Sequence, residues 1–180
     1  MKRIPLRFEN IQQVVGNDEL AVILLTDEKR QRALSVICDD VMTRQIMLRL
    51  QNPELCRSLL PEVLVEMLKG GSYEMMVYGI HDGQYQVVLS DSDFEHSVRL
   101  RMSDAVLLGI IGGYPLYIED TLFQMQSVPF DEHATGISIP INTMDRPRLN
   151  MALKHAIDDE NYELASQLRD ELKRREKLRK

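Results

Sequence analysis

The chain has 180 residues, of which 44% are hydrophobic and 28% charged, and this composition is typical of a globular domain with a real core. No apolar run approaches the ~20 residues that a membrane-spanning helix needs, and the basic start, residues 1–5, lacks the apolar core of an export signal. The length indicates one domain plus an appendage. Cys38 and Cys56 follow neither a metal-binding nor a redox spacing, so we expect two reduced, buried thiols in a cytoplasmic protein.

The net charge of −6 is unevenly distributed along the chain. Residues 148–180 contain 9 Lys and Arg against 7 Asp and Glu, which gives +2, whereas residues 1–147 contain 13 against 21, which gives −8. A strongly acidic segment is a poor electrostatic partner for a phosphate backbone. Clustered carboxylates could still hold a divalent metal that bridges to phosphate. The charge therefore disfavours tight nucleic-acid binding without excluding a contact with phosphate through a bound metal.

The first third of the chain has the pattern of strands followed by helices. Apolar alternation and two runs rich in branched residues predict three strands, at 4–8, 20–25 and 33–38. Asp39 and Asp40 then predict the start of a helix, because acidic residues are favoured in the first helical turn. A second helix has apolar residues at the i, i+3, i+4, i+7, i+8 spacing of one face: Leu60, Val63, Leu64, Met67 and Leu68.

A hairpin and a further strand follow. Residues 73–80 and 84–90 predict strands joined by a two-residue turn at Asp82-Gly83. After a turn at 91–93, alternation up to residue 100 predicts a strand with one apolar face, made of Phe94, His96, Val98 and Leu100. His96 is therefore expected to be a core histidine with one satisfied ring nitrogen.

The stretch from residue 103 to 113 predicts a buried helix. Ser103 is a good N-cap, and Asp104 places a carboxylate at the positive end of the helix dipole. The residues that follow are apolar nearly all the way round, which is typical of a helix covered on every side. Gly112-Gly113 supplies the C-terminal stop.

The sequence pattern changes twice toward the end of the chain, first at residue 126 and then at residue 148. Residues 126–147 predict a tether, because proline and glycine punctuate a stretch without helical period. Residues 148–180 predict two amphipathic helices that are broken near Asn161 and fold as an antiparallel hairpin. Two short helices are marginal in water, so we expect this hairpin to pair with its own copy, the preceding domain or a partner.

Together these elements predict an α+β fold: a mixed, largely antiparallel sheet with helices packed on it over residues 1–125, followed by a C-terminal α-helical hairpin. The order strand–strand–helix occurs at 20–50 and again at 84–113, which is compatible with a duplicated unit. Apolar strands need covered edges and symmetric oligomers are common, so we also expect self-association.

The polar turn before the buried helix has the pattern Arg101-x-Ser103-Asp104-Ala105, and the helix is followed by Tyr114-Pro115-Leu116-Tyr117-Ile118. Together these resemble the signature of the bifunctional nuclease family, a small bacterial and plant domain for which DNase and RNase activity is claimed. The resemblance covers about residues 1–125. It implies metal-dependent hydrolysis of phosphodiester bonds in DNA or RNA.

The tail contains Ala152-Leu153-x-x-Ala156-Ile157-x-x-Glu160-Asn161-Tyr162-Glu163-x-Ala165, and then Leu168-Arg169-Asp170-Glu171-Leu172. This pattern closely resembles the UVR motif, an interaction hairpin in the B and C subunits of the bacterial excision-repair nuclease and in protease adaptors. Bifunctional nucleases often carry it at the C-terminus. The resemblance implies a protein partner for residues 149–172.

In a nuclease of this kind, the candidate catalytic residues are Arg101, Ser103 and Asp104, and the candidate ligands for Mg²⁺ or Mn²⁺ are Asp104, Asp39 and Asp40. Asp104 would be a metal ligand or general base, Arg101 would hold a phosphate through bidentate contacts, and Ser103 would support them. Helix capping explains the same residue types. In that alternative the acidic residues and Ser103 cap two helices, and Arg101 pairs with a carboxylate.

The chain departs from the family pattern at three places. Family members tend to have an acid where this chain has Met42, a Thr-His-Asp where it has Leu60-Pro61-Glu62, and an acidic residue where it has Arg99. These departures keep a second function open, a non-catalytic oligomeric interaction or adaptor protein that retains the fold. A nuclease predicts a cleft in which Asp104 meets Asp39 or Asp40, whereas an adaptor predicts separate caps and a large apolar interface.

Overall fold

The computed structural model describes residues 2–14, 17–91, 95–132 and 139–178. The strands are β1 (Arg3–Val14), β2 (Asn17–Asp27), β3 (Arg32–Asp39), β4 (Tyr73–His81), β5 (Gln84–Asp91), β6 (Ser97–Leu100), β7 (Leu116–Glu119) and β8 (Val128–Pro129). The α-helices are α1 (Asp40–Gln51), α2 (Leu60–Met67), α3 (Met102–Gly112), α4 (Asp120–Gln126), α5 (Arg146–Asp158) and α6 (Tyr162–Leu178). Short 3₁₀ helices cover Pro53–Cys56 and Ile141–Thr143.

Within the described ranges, eight strands form one sheet in the order β6-β5-β4-β7-β1-β2-β3-β8. Neighbouring strands are antiparallel except for the parallel pair β4 and β7. The chain makes two three-strand meanders, β1-β2-β3 and β4-β5-β6, and each leads directly into a helix, α1 or α3. The predicted mixed, largely antiparallel α+β fold is confirmed, and the strand–strand–helix order occurs in both halves.

Helix α3 occupies the centre of the core. Met102 and the run Ala105–Leu108 are buried, as the unbroken apolar pattern predicts. The helix packs on β3, β5 and β7 and on the helices α1 and α2. Each large aliphatic side chain buried in this way contributes roughly 1.5–3 kcal/mol. The helix ends at Gly113, whose φ of 68° is the left-handed conformation that favours glycine.

The position of α3 shows that the sheet curls. Strand β5 is next to one end of the sheet and β3 is next to the other, yet α3 contacts both. The curl therefore brings the end of β3 near β5 and β6, across the start of α3. The two strand-to-helix turns, β3 to α1 and β6 to α3, become neighbours through this curl.

The predicted core position of His96 is wrong. Its side chain is 85% exposed, and Nδ1 lies 3.2 Å from an Asp91 carboxylate oxygen. Val98, predicted for the same apolar face, is 60% exposed. Strand β6 lies at the edge of the sheet and has only four residues, so little of the core reaches it. Phe94 and the turn at 92–93 lie outside the described residues.

The apolar face predicted for α2 does not face the core. Leu60 and Met67 are 80% and 79% exposed, and Val63 and Leu64 are also exposed, whereas Val65 is buried. The helix packs on α3 through Val65, which belongs to the main core, and an ion pair between Arg49 of α1 and Glu62 joins it to α1. Helix α2 therefore presents an apolar stripe to the outside of this chain.

The C-terminal helices α5 and α6 form the predicted hairpin. Asn161 caps α6, since its Oδ1 accepts the Leu164 N–H at 3.2 Å. The two helices share a small core of their own, formed by Leu149, Ala156, Ala165 and Leu168. In the segment expected to be a tether, 126–147, β8 pairs with β3, and residues 133–138 lie outside the described residues.

The hairpin packs against the turn between β4 and β5. A Cβ atom on Gly83 would lie 2.2 Å from the Met144 carbonyl oxygen, so only glycine allows this approach. Arg175, buried to 7% exposure, donates to the carbonyls of Met144 and Asn142 at 2.7 and 3.0 Å. Of the three pairing modes expected for the hairpin, packing on the preceding domain is present. None of the helices among the described residues has the length and hydropathy of a membrane-spanning segment.

Candidate functional site

A cleft of about 470 Å³ lies where the two strand-to-helix turns meet. It is bounded by the end of β3, by β5 and β6, by the start of α3, and by the start of α5. Glutamines line it from β5, and charged or hydroxyl side chains line it from the other sides: Asp39, Arg99, Arg101, Ser103, Asp145 and Arg148. The curl of the sheet is what makes this cleft, since its walls come from segments far apart in sequence.

Arg101 holds Asp104 in a bidentate ion pair. Its Nε donates to Oδ2 at 2.7 Å and its Nη2 donates to Oδ1 at 3.0 Å. The third nitrogen, Nη1, lies 3.9 Å from Oδ2 of Asp39. Hydrogen bonding to Asp104, with the charge of that carboxylate, raises the pKa of Arg101 above its ordinary value. A single guanidinium thus bridges carboxylates from two different helix starts.

Asp39 is the N-cap of α1. Its Oδ1 accepts the Met42 N–H at 2.8 Å, and its other oxygen faces Arg101. Asp40, the next residue, pairs with Arg44 at 2.8 Å on its own helix. Of the predicted carboxylates, the structure therefore brings Asp39 and Asp104 together and leaves Asp40 apart from them.

The N-cap prediction for Ser103 is wrong. Helix α3 begins at Met102, its N-cap is Arg101, and no side chain caps it. Ser103 lies in the first turn and lines the cleft. Asp104 is also in the first turn, where the helix dipole favours a negative charge.

The two carboxylates that pair with Arg101, Asp39 in the cleft and Asp104 beside it, are few ligands for a metal ion. Among the described residues, no group of three or more His, Cys, Asp or Glu side chains is arranged to hold a metal. Mg²⁺ is commonly bound by one or two carboxylates, with water and substrate oxygens completing its shell. Asp39 and Asp104, 53% and 32% exposed, fit that minimal arrangement, but a metal between them would compete with Arg101.

Three cleft residues were not identified as candidates from the sequence. Arg99 was seen only as a departure from the family pattern, and Arg148 only as part of the net positive charge of the tail. Cys38 lies on the floor of the cleft, where burial raises the pKa of its thiol to about 11. Spacing along the chain gives no signal for these residues, because they meet only after the sheet has curled.

Residues 22–131 match the family model of the bifunctional nuclease domain. The chain belongs to the bifunctional nuclease family. Residues 148–178 match the model of the UvrB/uvrC motif, so both resemblances are confirmed. A search of curated proteins gave no match. The cleft is thus built mainly from the family domain, while Arg148 comes from the segment that matches the UvrB/uvrC motif.

The structure shows what the departures from the bifunctional nuclease pattern do here. Met42, in the place of an acid, is buried in the core. Glu62, in the segment where the family tends to have Thr-His-Asp, is bound to Arg49 between α1 and α2. Arg99 lines the cleft and adds a positive charge beside Arg101. Of the three altered positions, one therefore fills the core, one joins two helices by an ion pair, and the third changes the charge of the cleft.

Proposed function

We propose that the cleft binds a nucleic-acid phosphodiester and that the protein hydrolyses it with a divalent metal, Mg²⁺ or Mn²⁺. The observation that carries this proposal is the convergence of Asp39 and Asp104 on Arg101, which lines the cleft together with Asp39. This is the juxtaposition that a nuclease predicts and that independent helix caps do not require. Membership of the bifunctional nuclease family supports the same substrate class.

In this proposal Asp39 and Asp104 hold the metal, and Asp40, which faces Arg44, is left out. Bound there, the metal would supply Lewis-acid stabilisation of the phosphate and a water of lowered pKa. Arg101 would exchange its bidentate contact with Asp104 for the same contact with a phosphate, since both anions match the guanidinium fork. Ser103, in the same helix turn, lies close enough to the cleft to orient the bound phosphate.

The cleft is less acidic than residues 1–147, which carry a net charge of −8. Arg99, Arg101 and Arg148 line it, and Asp39, Asp145 and the adjacent Asp104 balance their charge. A concave site with balanced charge repels phosphate less than a strongly acidic surface does, and Arg101 and Arg148 could each exchange a carboxylate partner for a phosphate oxygen. The substrate would therefore bind in this cleft despite the acidic composition.

A specific observation favours a second candidate, the non-catalytic adaptor. Arg101 already neutralises both carboxylates, and α2 exposes an apolar stripe that none of the described residues covers. On this proposal the protein self-associates through α2, and the hairpin binds a protein partner through its outer apolar residues, Met151, Ile157, Tyr162 and Leu164. The free thiols Cys38 and Cys56 support a cytoplasmic location under either proposal.

The two candidates are separated by a cleavage assay. Supercoiled DNA and single-stranded RNA are incubated with the protein in Mg²⁺, Mn²⁺ or EDTA. Asp104→Asn and Asp39→Asn should abolish cutting, and Asn at residue 39 still caps α1. Asp120→Asn is the matched control, because Asp120 is also a first-turn acid with a basic partner, Lys2, but lies outside the cleft.

Metal-dependent cutting that survives in Asp120→Asn and disappears in the other two variants would support the nuclease. Equal cutting by all variants would place the activity elsewhere or in a contaminant. Absence of cutting by the folded wild-type protein under every condition would leave the adaptor as the better proposal.

A further inference from the structure

One wall of the cleft comes from outside the nuclease domain. Thr143, Asp145 and Arg148 line the cleft, and all three follow the segment that matches the family model, which ends at residue 131. The remaining walls come from β3, β5, β6 and α3. Without the hairpin, the cleft would be open on this side.

The contacts that hold this wall in place are specific. Gly83, at the β4–β5 turn, has a φ of +82° and lies directly against the Met144 carbonyl. Arg175 reaches across from α6 and donates to the carbonyls of Met144 and Asn142, while Glu171 accepts from its Nε at 2.7 Å. The backbone just before α5 is therefore fixed from two sides, by the β4–β5 turn and by α6.

Arg148 stands at the start of α5 with its side chain 30% exposed. Asp145 caps the helix by accepting the Arg148 N–H at 2.9 Å, and its second oxygen lies 3.3 Å from the Arg148 guanidinium. This pair keeps the guanidinium at the edge of the cleft. Arg99 and Arg101 present the other positive charges of the cleft from β6 and from the turn before α3.

We propose that the C-terminal hairpin is a structural wall of the nucleic-acid cleft and that Arg148 is a substrate-positioning residue, which contacts a phosphate next to the one held by Arg101. This inference rests on the proposed function, because it takes the ligand to be a polynucleotide. A chain of phosphates, rather than a single nucleotide, would then span from the α3 turn to α5. The same hairpin would join the nuclease domain to its partner and complete its binding site.

The first test compares Arg148→Ala with Arg146→Ala. Both variants remove one positive charge from the first turn of α5, but Arg146 pairs with Glu176 and does not line the cleft. Binding of a labelled single-stranded DNA oligonucleotide is measured by fluorescence anisotropy in Mg²⁺ and in EDTA over a range of salt. Arg148→Ala should weaken binding roughly tenfold at low salt and reduce the slope of log K against log salt by about 1. Arg146→Ala should leave the slope unchanged.

The second test displaces the segment before α5, which forms this wall of the cleft, and leaves Arg148 unchanged. Gly83→Ala places a Cβ against the Met144 carbonyl, whereas a Cβ on Gly70, which has a φ of +94°, meets nothing within 4 Å. Both substitutions strain a left-handed backbone, so Gly70→Ala is the matched control for folding. Gly83→Ala should expose the chain before α5 to limited proteolysis and weaken oligonucleotide binding at least as much as Arg148→Ala.

The outcomes distinguish this inference from the proposed function. No binding by the wild-type protein would overturn both. Binding that Arg101→Ala abolishes, but that Arg148→Ala and Gly83→Ala leave intact, would keep the nucleic-acid cleft and overturn the role of the hairpin. Equal losses in Arg146→Ala and Arg148→Ala would also overturn it, because they would indicate an effect of net charge alone.

Discussion

The ion pair between Arg49 and Glu62 decides how α1 is joined to α2. Arg49 Nε lies 2.7 Å from Glu62 Oε1, and Nη2 donates to Oε2 at 2.8 Å. The remaining nitrogen, Nη1, donates to the backbone carbonyl and the side chain of Gln45 at 2.9 and 2.8 Å. The arginine side chain is 3% exposed and the glutamate 15%, so water cannot easily replace a missing partner.

Glu62→Gln keeps the shape of the side chain but removes its charge. Breaking a buried ion pair costs about 3–5 kcal/mol, because the remaining charge is buried without compensation. We expect about 3 kcal/mol here, the lower end of that range, since Gln45 still accepts two hydrogen bonds from Arg49. Adding Arg49→Met should recover most of this loss, because an apolar replacement of both partners is often neutral.

Urea unfolding followed by circular dichroism gives the free energy of unfolding for each variant. Glu54→Gln is the matched control: Glu54 pairs with Arg57, and the two side chains are 71% and 76% exposed. Its loss should be under about 1 kcal/mol, as for other surface pairs. A similarly small loss for Glu62→Gln, or no recovery in the double variant, would refute a buried and mutually dependent pair.

Three further predictions follow from burial and charge. Hydrogen bonds from two arginines of its own helix hold the pKa of Glu171 below its ordinary value of 4.5. The ionised Glu171 therefore stabilises the hairpin fully above pH 4.5, and this stabilisation is lost as the pH falls through the lower pKa of the folded state. Hydrogen exchange in α6 should show this pH dependence, and Glu171→Gln should remove it. With a pKa of about 11, Cys38 should have about a thousandth of its thiol ionised at pH 8, and iodoacetamide followed by mass spectrometry should find it unmodified until the protein is unfolded. If a second copy covers α2, Leu60→Glu and Met67→Glu should lower the sedimentation coefficient. Met125→Glu, at an exposed site on α4, should leave the sedimentation coefficient unchanged. A monomeric wild-type protein would contradict this prediction.

Local signals predicted the elements that depend only on neighbouring residues. The Asp82-Gly83 turn has positive φ at both residues, 48° and 82°, which is the geometry that such a dipeptide favours in a hairpin. Asn161 caps α6 and Gly113 ends α3 for equally local reasons. Helix α3 was predicted to be buried because its apolar surface has no polar side, and such a helix has no other stable environment.

Structural features that depend on residues distant in sequence could not be predicted from local patterns. Periodicity identified α2 as a helix with an apolar face. It could not show that an ion pair between Glu62 and Arg49 of α1 would orient this helix so that Leu60 is exposed. Alternation likewise assigned His96 to a covered face, although β6 proved to be a short edge strand. For the cleft, Arg148 joins Arg101 only through the curl of the sheet and the contacts of the hairpin.

Capping and chemistry are compatible roles for Asp39, because its two oxygens face different groups. One oxygen accepts the N–H that a helix start leaves unpaired, and the other faces Arg101. Helix dipoles favour acids in the first turn, so two strand-to-helix turns that meet across a curled sheet bring carboxylates together. A helix start alone is not sufficient, since Asp40 turns to Arg44. The residue types that cap helices are therefore the same ones that a phosphate-hydrolysing cleft needs. The curl of the sheet brings Arg101 near this turn, and Asp39 meets it because it is the extended N-cap, whereas Asp40 is already in the helix and pairs with Arg44.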